Sequence, residues 1–379
     1  MHMKVVCDKN ELQHALQITT RALPTTTAIP ELTHIRLEAV DNSIRLSATN
    51  IKTFISTKVQ AEIDRPGEIL VQGQFFLELI HNLREFNRDK ILIDVNPSNN
   101  RVLLTLEGES ARYELPGRGR EDYPDVELIE AEMEMEISGN NLKEILKIGS
   151  ICSATTENSI QGFRGICMDI SSNKITVASM DGNRLVKASS PSPIQLDTKL
   201  RWLISMDVVS ELLKILPDDT ILIRQQHNKF LLKFGETIFQ SALSDAEFVD
   251  YEDYIPEDLS EGLNLDNGRL IGHLKGLLPV ARESGNRIVL EIHPQQLGIS
   301  SFSEKYGEGY REIGLEEGSK VEEEMTVAFN SKFLLDYLGS IGSDTVTMQC
   351  EGEGMPAYFW PTNQSENLQH VCVIMSLSM

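Results

Sequence analysis

The sequence predicts an α+β protein built from three repeats of one unit, each with two helices packed on antiparallel sheets. Three observations carry this. A strand, tight turn and strand recur as IRLEAVDNSIRLSATN from Ile35, ICMDISSNKITVASMD from Ile166 and IVLEIHPQQLGISSFS from Ile288, offset by 131 and 122 residues. A helical segment precedes each hairpin, and a second follows each. Such a spacing is too long for a solenoid repeat and fits a triplicated domain.

The first helices are NELQHALQITTRAL, NNLKEILKIGSIC and NGRLIGHLKGLLPVA. Leu12 and Leu16, Leu142 and Leu146, and Leu270 and Leu274 each recur at i, i+4, which puts each pair on one helical face. Asn10, Asn140 and Asn267 stand where N-caps are expected. In the hairpins, Ile35, Leu37 and Ala39, Ile166, Met168 and Ile170, and Ile288, Leu290 and Ile292 alternate with polar residues. Period two with one buried face predicts half-covered strands, with Glu38, Asp169 and Glu291 at one outward position. The second helices are QFFLELIHNLREF, MDVVSELLKIL and NSKFLLDYLGSIG. Each unit therefore reads helix, strands, helix, strands, over 1–130, 131–256 and 257–379. Charged, apolar-poor stretches mark the junctions, each with an aromatic–proline anchor: Tyr123-Pro124, and Tyr254-Ile255-Pro256. The acidic run from Gly314 reads as a solvated loop.

Hydrophobic residues make up 41% of the chain, enough for real cores. Apolar runs such as Leu277–Ala281 are far shorter than the about 20 residues a bilayer demands, so no membrane span is expected. The N-terminus MHMKVVCDKN shows no signal-peptide pattern, and a cytoplasmic location is expected. The five cysteines are dispersed, without C-x-x-C spacing, and read as buried thiols.

No constellation points to catalysis. The eight histidines are scattered, no H-E-x-x-H or phosphate-binding loop occurs, and GEGYREIG at Gly307 fails the dinucleotide fingerprint. Ser171-Ser172-Asn173-Lys174 matches S-x-x-K inside a hairpin turn. An acidic hydrolase would need a titrating carboxylate pair that the sequence does not locate. No metal or cofactor is expected. The net charge of −22 argues against nucleic acid if taken alone, yet the six helical windows together carry +4. Exposed helix faces often carry Lys and Arg in any case, so this split favours a shared polyanion-facing surface without establishing one.

Several segments, in order, resemble the bacterial sliding clamp, the β subunit of DNA polymerase III. AIPELTHIRLEA is similar to that family's proline-centred strand entry, and Met180-Asp181-Gly182-Asn183-Arg184-Leu185 to its T-D-G-H-R-L. Phe248-Val249-Asp250-Tyr251 with Ile255-Pro256 resembles F-P-D-Y and its trailing proline, and the C-terminal VIMSLSM resembles V-V-M-P-M-R-L.

The resemblance implies a head-to-tail homodimeric ring, threaded by duplex DNA without sequence readout. It implies short-peptide docking of the replicative polymerase subunit, the clamp loader and repair proteins. DNA contact would fall to Arg21, Arg84, Arg88, Lys143, Lys147, Lys214, Lys275 and Arg282. The peptide pocket would comprise Phe163, Met180, Gly182, Asn183, Arg184, Leu185, Val249, Tyr254, Val373, Met375 and Leu377, with Gly182 allowing close approach and Arg184 offering donors at the rim. Tyr113 and Leu115 would meet Pro279 and Val280 of the other copy.

Departures also stand out. Thr25-Thr26-Thr27, Met206-Asp207, His14 and His81 occupy positions where relatives carry basic residues. Asn183, Val249, Asp253, Ser376 and Ser378 replace pocket residues of the family. The alternative is thus a diverged paralogue: a protein-binding scaffold or inhibitor-insensitive clamp with weakened DNA contact.

Overall fold

The computed structural model describes residues 3–83, 89–107, 112–130, 133–156, 158–194, 196, 198–259, 261–321 and 323–378. One element order occurs three times. The first repeat runs β1 (Lys4–Asp8), α1 (Lys9–Thr19), β2 (His34–Val40), β3 (Ser43–Thr49), β4 (Thr53–Arg65), β5 (Gly67–Gln72), α2 (Gly73–Asn82), β6 (Lys90–Val95), β7 (Arg101–Leu106), β8 (Arg112–Arg118). The second runs β9 (Met133–Ser138), α3 (Gly139–Gly149), β10 (Gly165–Ser171), β11 (Lys174–Met180), β12 (Arg184–Pro191), β13 (Leu200–Ser205), α4 (Met206–Ile215), β14 (Thr220–Gln226), β15 (Lys229–Phe234), β16 (Thr237–Ala242). The third runs β17 (Leu263–Asp266), α5 (Asn267–Ala281), β18 (Arg287–Ile292), β19 (Gln296–Ser303), β20 (Gly307–Gly314), β21 (Met325–Asn330), α6 (Ser331–Leu338), β22 (Thr345–Cys350), β23 (Pro356–Pro361), β24 (Gln369–Met375).

The leucine pairs read from the sequence are buried in α1, α3 and α5, each at most 3% exposed. Burying one such side chain contributes about 1.5–3 kcal/mol. The helix starts need a correction. The N-caps are Asp8, Ser138 and Asp266, not Asn10, Asn140 and Asn267. Asp8 accepts from the amides of Asn10 and Glu11, Ser138 from that of Asn141, and Asp266 from that of Arg269. A cap has extended backbone, and the last strand residue supplies it, so α1 and α3 begin before their asparagines and α5 begins at Asn267 itself. All five cysteines are free thiols, and four are buried.

The chain packs as two compact units, residues 1–136 with 219–243, and 137–218 with 244–379. These units cut across the repeats because strands pair between repeats. Within the first unit, β4 pairs with β16 over residues 53–56 and 238–241. Within the second, β12 pairs with β24 over residues 184–189 and 369–374. The resulting sheet orders are β1-β6-β7-β8-β5-β2-β3-β4-β16-β15-β14-β9 and β13-β10-β11-β12-β24-β23-β22-β17. A separate sheet runs β20-β19-β18-β21, leaving β20 at its edge.

The β3–β4 and β11–β12 turns are built alike. Asn50 Oδ1 accepts from the amides of Lys52 (3.1 Å) and Thr53 (2.8 Å), as Asp181 Oδ1 does from those of Asn183 (3.0 Å) and Arg184 (3.1 Å). The residue after each acceptor has positive φ: 92° at Gly182 but 79° at Ile51. A β-branched side chain in that region costs on the order of 1–3 kcal/mol. Ile51→Gly is therefore expected to stabilise the protein by about 1 kcal/mol after the entropic cost of glycine. A thermal melt reads this directly, and an unchanged or lowered midpoint contradicts it.

Candidate functional site

Register places one set of side chains on a single face of the eight-stranded sheet. Leu185 on β12 lies opposite Met180 on β11 and Val373 on β24, and Val373 lies opposite Tyr358 on β23. With Phe163, Ala154, Cys167, Ala178, Tyr251, Trp360 and Val371 they form one buried apolar cluster. The segment after β16 crosses this face, and its Phe248, Val249, Ile255 and Leu259 pack on the cluster half-buried. Phe248 makes edge contacts with Phe163 (6.2 Å) and Tyr251 (6.3 Å). The corresponding face in the first repeat is polar at its strand junction: Gln240 on β16 binds the amide of Ile129 and the carbonyl of Glu127. Among the described residues, the second junction thus carries the more apolar wall.

Beneath the crossing segment lies a charge cluster. Asp169 accepts from Arg201 Nε (2.9 Å) and Nη2 (3.1 Å) and from the Tyr251 hydroxyl (2.7 Å), and pairs with Lys199 at 2.8 Å. Arg201 also reaches Asp250 on that segment. Asp169, read from the sequence as an outward residue, is 3% exposed. It does point away from the helices, but the segment carrying Tyr251 covers it. Burial opposes its charge, and the hydrogen bonds from Arg201, Lys199 and Tyr251 outweigh that, holding the carboxyl below its ordinary value.

The cluster includes Phe163, Met180, Leu185 and Val373, with Val249 packed on it. The other expected residues are not part of the buried cluster. Tyr254 is 52% exposed, and the buried anchor is Tyr251, whose phenol has Asp169 as acceptor. Leu377 is bridged to Ala328 on β21 through its backbone amide (2.7 Å). Met375 is 40% exposed, its amide bound to the carbonyl of Asn183 (2.9 Å), so it stands at the rim. Two guanidinium nitrogens of Arg184 are taken within the protein. Its Nε binds Asp181 and its Nη1 binds Asp336, both at 2.9 Å, and it lies 4.4 Å from the Phe333 ring centre. It therefore clips the turn to α6. A Cβ on Gly182 would meet no protein atom within 4 Å, and the positive φ of this residue sets the turn.

Tyr358, Trp360 and Val371 are not singled out from the sequence, and Tyr251 is named there only within the Phe248–Tyr251 motif. Alternation in AYFWP was the available signal, since it puts Tyr358 and Trp360 on one face.

The expected DNA-contacting residues divide. Lys147, Lys275 and Arg282 are exposed on or just beyond α3 and α5, and Arg21 is exposed after α1. Lys143 pairs with Asp218 (2.6 Å) and Lys214 with Glu211 (2.7 Å). Arg84 and Arg88 lie outside the described residues. Of the expected interface residues, Tyr113 is half-buried and Leu115 is buried in its own repeat, while Pro279 is exposed within α5 and Val280 half-buried. Among the described residues no group of three or more metal-ligating side chains occurs.

The fold and the site define a protein of three repeated α+β units with an apolar cluster at a repeat junction. The chain belongs to the DNA polymerase III β-subunit family, whose N-terminal domain matches residues 3–127, central domain 136–250 and C-terminal domain 252–376. It is 26% identical over 339 residues to the β sliding clamp of Chlamydia muridarum, covering 89% of each chain. It is 24% identical over 366 residues to that of Bacillus subtilis, covering 93% of this chain and 94% of the other. The solved Bacillus subtilis sliding clamp matches with a TM-score of 0.90 at 22% identity over 100% of both chains. A Pseudomonas aeruginosa sliding clamp bound to griselimycin matches with a TM-score of 0.90 at 20% identity, again over 100% of both.

Proposed function

We propose that this chain is a non-catalytic sliding clamp. Two copies join head to tail, encircle duplex DNA without reading its sequence, and tether a replicative polymerase subunit, a clamp loader and repair proteins through short peptides. Strand pairing between repeats carries this reading. The third hairpin strand of the first repeat, β4, pairs with the last strand of the second, β16; β12 pairs likewise with β24 of the third. The same rule applied to β20 calls for the last strand of a first repeat, β8, from another copy. β20 is a sheet edge, and among the described residues β8 pairs with β5 only through Arg118 and Gly117, leaving most of its second edge open. A head-to-tail contact of this kind closes into a ring when the rotation allows it.

The units 1–130, 131–256 and 257–379 serve as the three clamp domains. Exposed Lys147, Lys275 and Arg282 supply phosphate contacts, and these weaken with salt. Direct affinity is low, because closure and not contact strength retains the ring. The ion pairs of Lys143 and Lys214 favour the reading of a clamp with reduced DNA contact.

Peptide docking is tested by calorimetry with the clamp-binding segment of the same cell's replicative polymerase. The expected dissociation constant is roughly micromolar, since a short peptide loses entropy on ordering. Val249→Asp, on the half-buried roof, should weaken it by about tenfold or more by setting a charge against apolar anchors. Unchanged binding in this variant would remove the site from the junction.

A further inference from the structure

In each repeat the first three hairpin strands present a face away from the helices, and in the first two an inter-repeat segment crosses it. Tyr123 of the first segment is 7% exposed, with its hydroxyl 3.5 Å from the carbonyl of Ser47 on β3. Tyr251 of the second is fully buried on Asp169. The third repeat has the same face on β18, β19 and β20. Glu291 lies opposite Gly298, and Gly298 opposite Glu312. Ser300 lies opposite Tyr310, and Phe302 opposite Glu308. Nothing crosses this face among the described residues: Phe302 is 61% and Tyr310 47% exposed. The residues after β24 run instead to β21, the other edge of that sheet.

The charge pattern says what would cover it. Glu38 is held by Arg36 and Arg45, and Asp169 by Lys199 and Arg201. Their counterpart Glu291 has no ion pair among the described residues, and Glu308 and Glu312 extend the acidic rim on the same face. Among the described residues no cation of this repeat pairs with Glu291, so an occupant can supply one. Aromatic side chains of this exposure beside an acidic rim suit a segment that brings both apolar surface and positive charge.

We propose that the outer face of β18–β20 is a second docking surface, taken by an extended segment of a partner protein that carries arginine or lysine beside a tyrosine or proline. It stands apart from the apolar junction site and goes beyond the peptide docking proposed there.

The test uses the full chain and a fluorescently labelled ten-residue peptide with two arginines and a tyrosine–proline pair. The same peptide with glutamates for the arginines is the control. Anisotropy should show the arginine peptide binding at least about tenfold more tightly than the control, and the doubly substituted protein, Phe302→Ser with Tyr310→Ser, should lose that difference. Glu291→Gln should weaken arginine-peptide binding severalfold. The double variant should bind the polymerase segment at the junction unchanged, which shows that it folds and separates this surface from that site. Equal binding of the two peptides, no binding at millimolar concentration, or full binding by the double variant would overturn the proposal. A loss of dimer mass in the double variant would overturn it too, by assigning the face to contact between copies.

Discussion

Asp169→Ala is expected to lower the thermal midpoint and to weaken peptide binding at the repeat junction by about tenfold or more. Removing the carboxylate leaves the buried Tyr251 hydroxyl without its acceptor and frees Arg201 and Lys199. Breaking a fully buried pair costs about 3–5 kcal/mol. Here Arg201 and Lys199 are 39% and 46% exposed and can turn to water, so the cost is nearer about 2 kcal/mol. The larger effect is on position. Tyr251 pins the segment whose Phe248, Val249 and Ile255 roof the apolar cluster. Tyr251→Phe keeps the ring and removes only the hydroxyl bond, so it should cost less in both measurements. The folded carboxyl titrates below the ordinary aspartate value near 3.9, so its stabilisation is fully present above about pH 4 and is lost as pH falls through the folded value. A junction that binds peptide equally well in Asp169→Ala would show that this cluster does not set the roof.

A proline in β20 is expected to convert a dimer to a monomer at one of two adjacent positions. Successive amides of a strand point to opposite edges, so of Arg311→Pro and Glu312→Pro one removes a bond to β19 and the other a donor at the open edge. The open-edge variant should keep its melt and raise the dimer dissociation constant by about a hundredfold, while the other should unfold more easily. Light scattering at micromolar concentration should report about twice 42.5 kDa for the unsubstituted chain. If neither variant changes the mass, β20 is not the joining strand.

The elements were largely legible because their signals are local. Period-two hairpins and i, i+4 leucines depend on the chain's own spacing, and the buried faces follow from them. Where the structure departs, the deciding partner is distant in sequence. Asp169 reads as outward until Tyr251, 82 positions on, covers it. Arg184 reads as a rim donor, and Asp336, 152 positions on, takes one of its nitrogens. Tyr254 and Tyr251 are both plausible anchors from composition, and only the acceptor on β10 separates them. The pairing of β12 with β24, which assembles the junction, leaves no local mark in either strand.

Retention on DNA of different topology tests the central claim most directly. With its own loader and ATP, the protein should be retained on bead-bound nicked circular DNA through a high-salt wash, because a closed ring needs no strong phosphate contacts. A single cut that linearises the DNA should release it within the dead time of the wash. Reversing Lys147, Lys275 and Arg282 to Glu should slow loading and leave retention on the circle intact. Protein that stays bound after the cut, or that washes off the uncut circle with rising salt, would contradict encirclement.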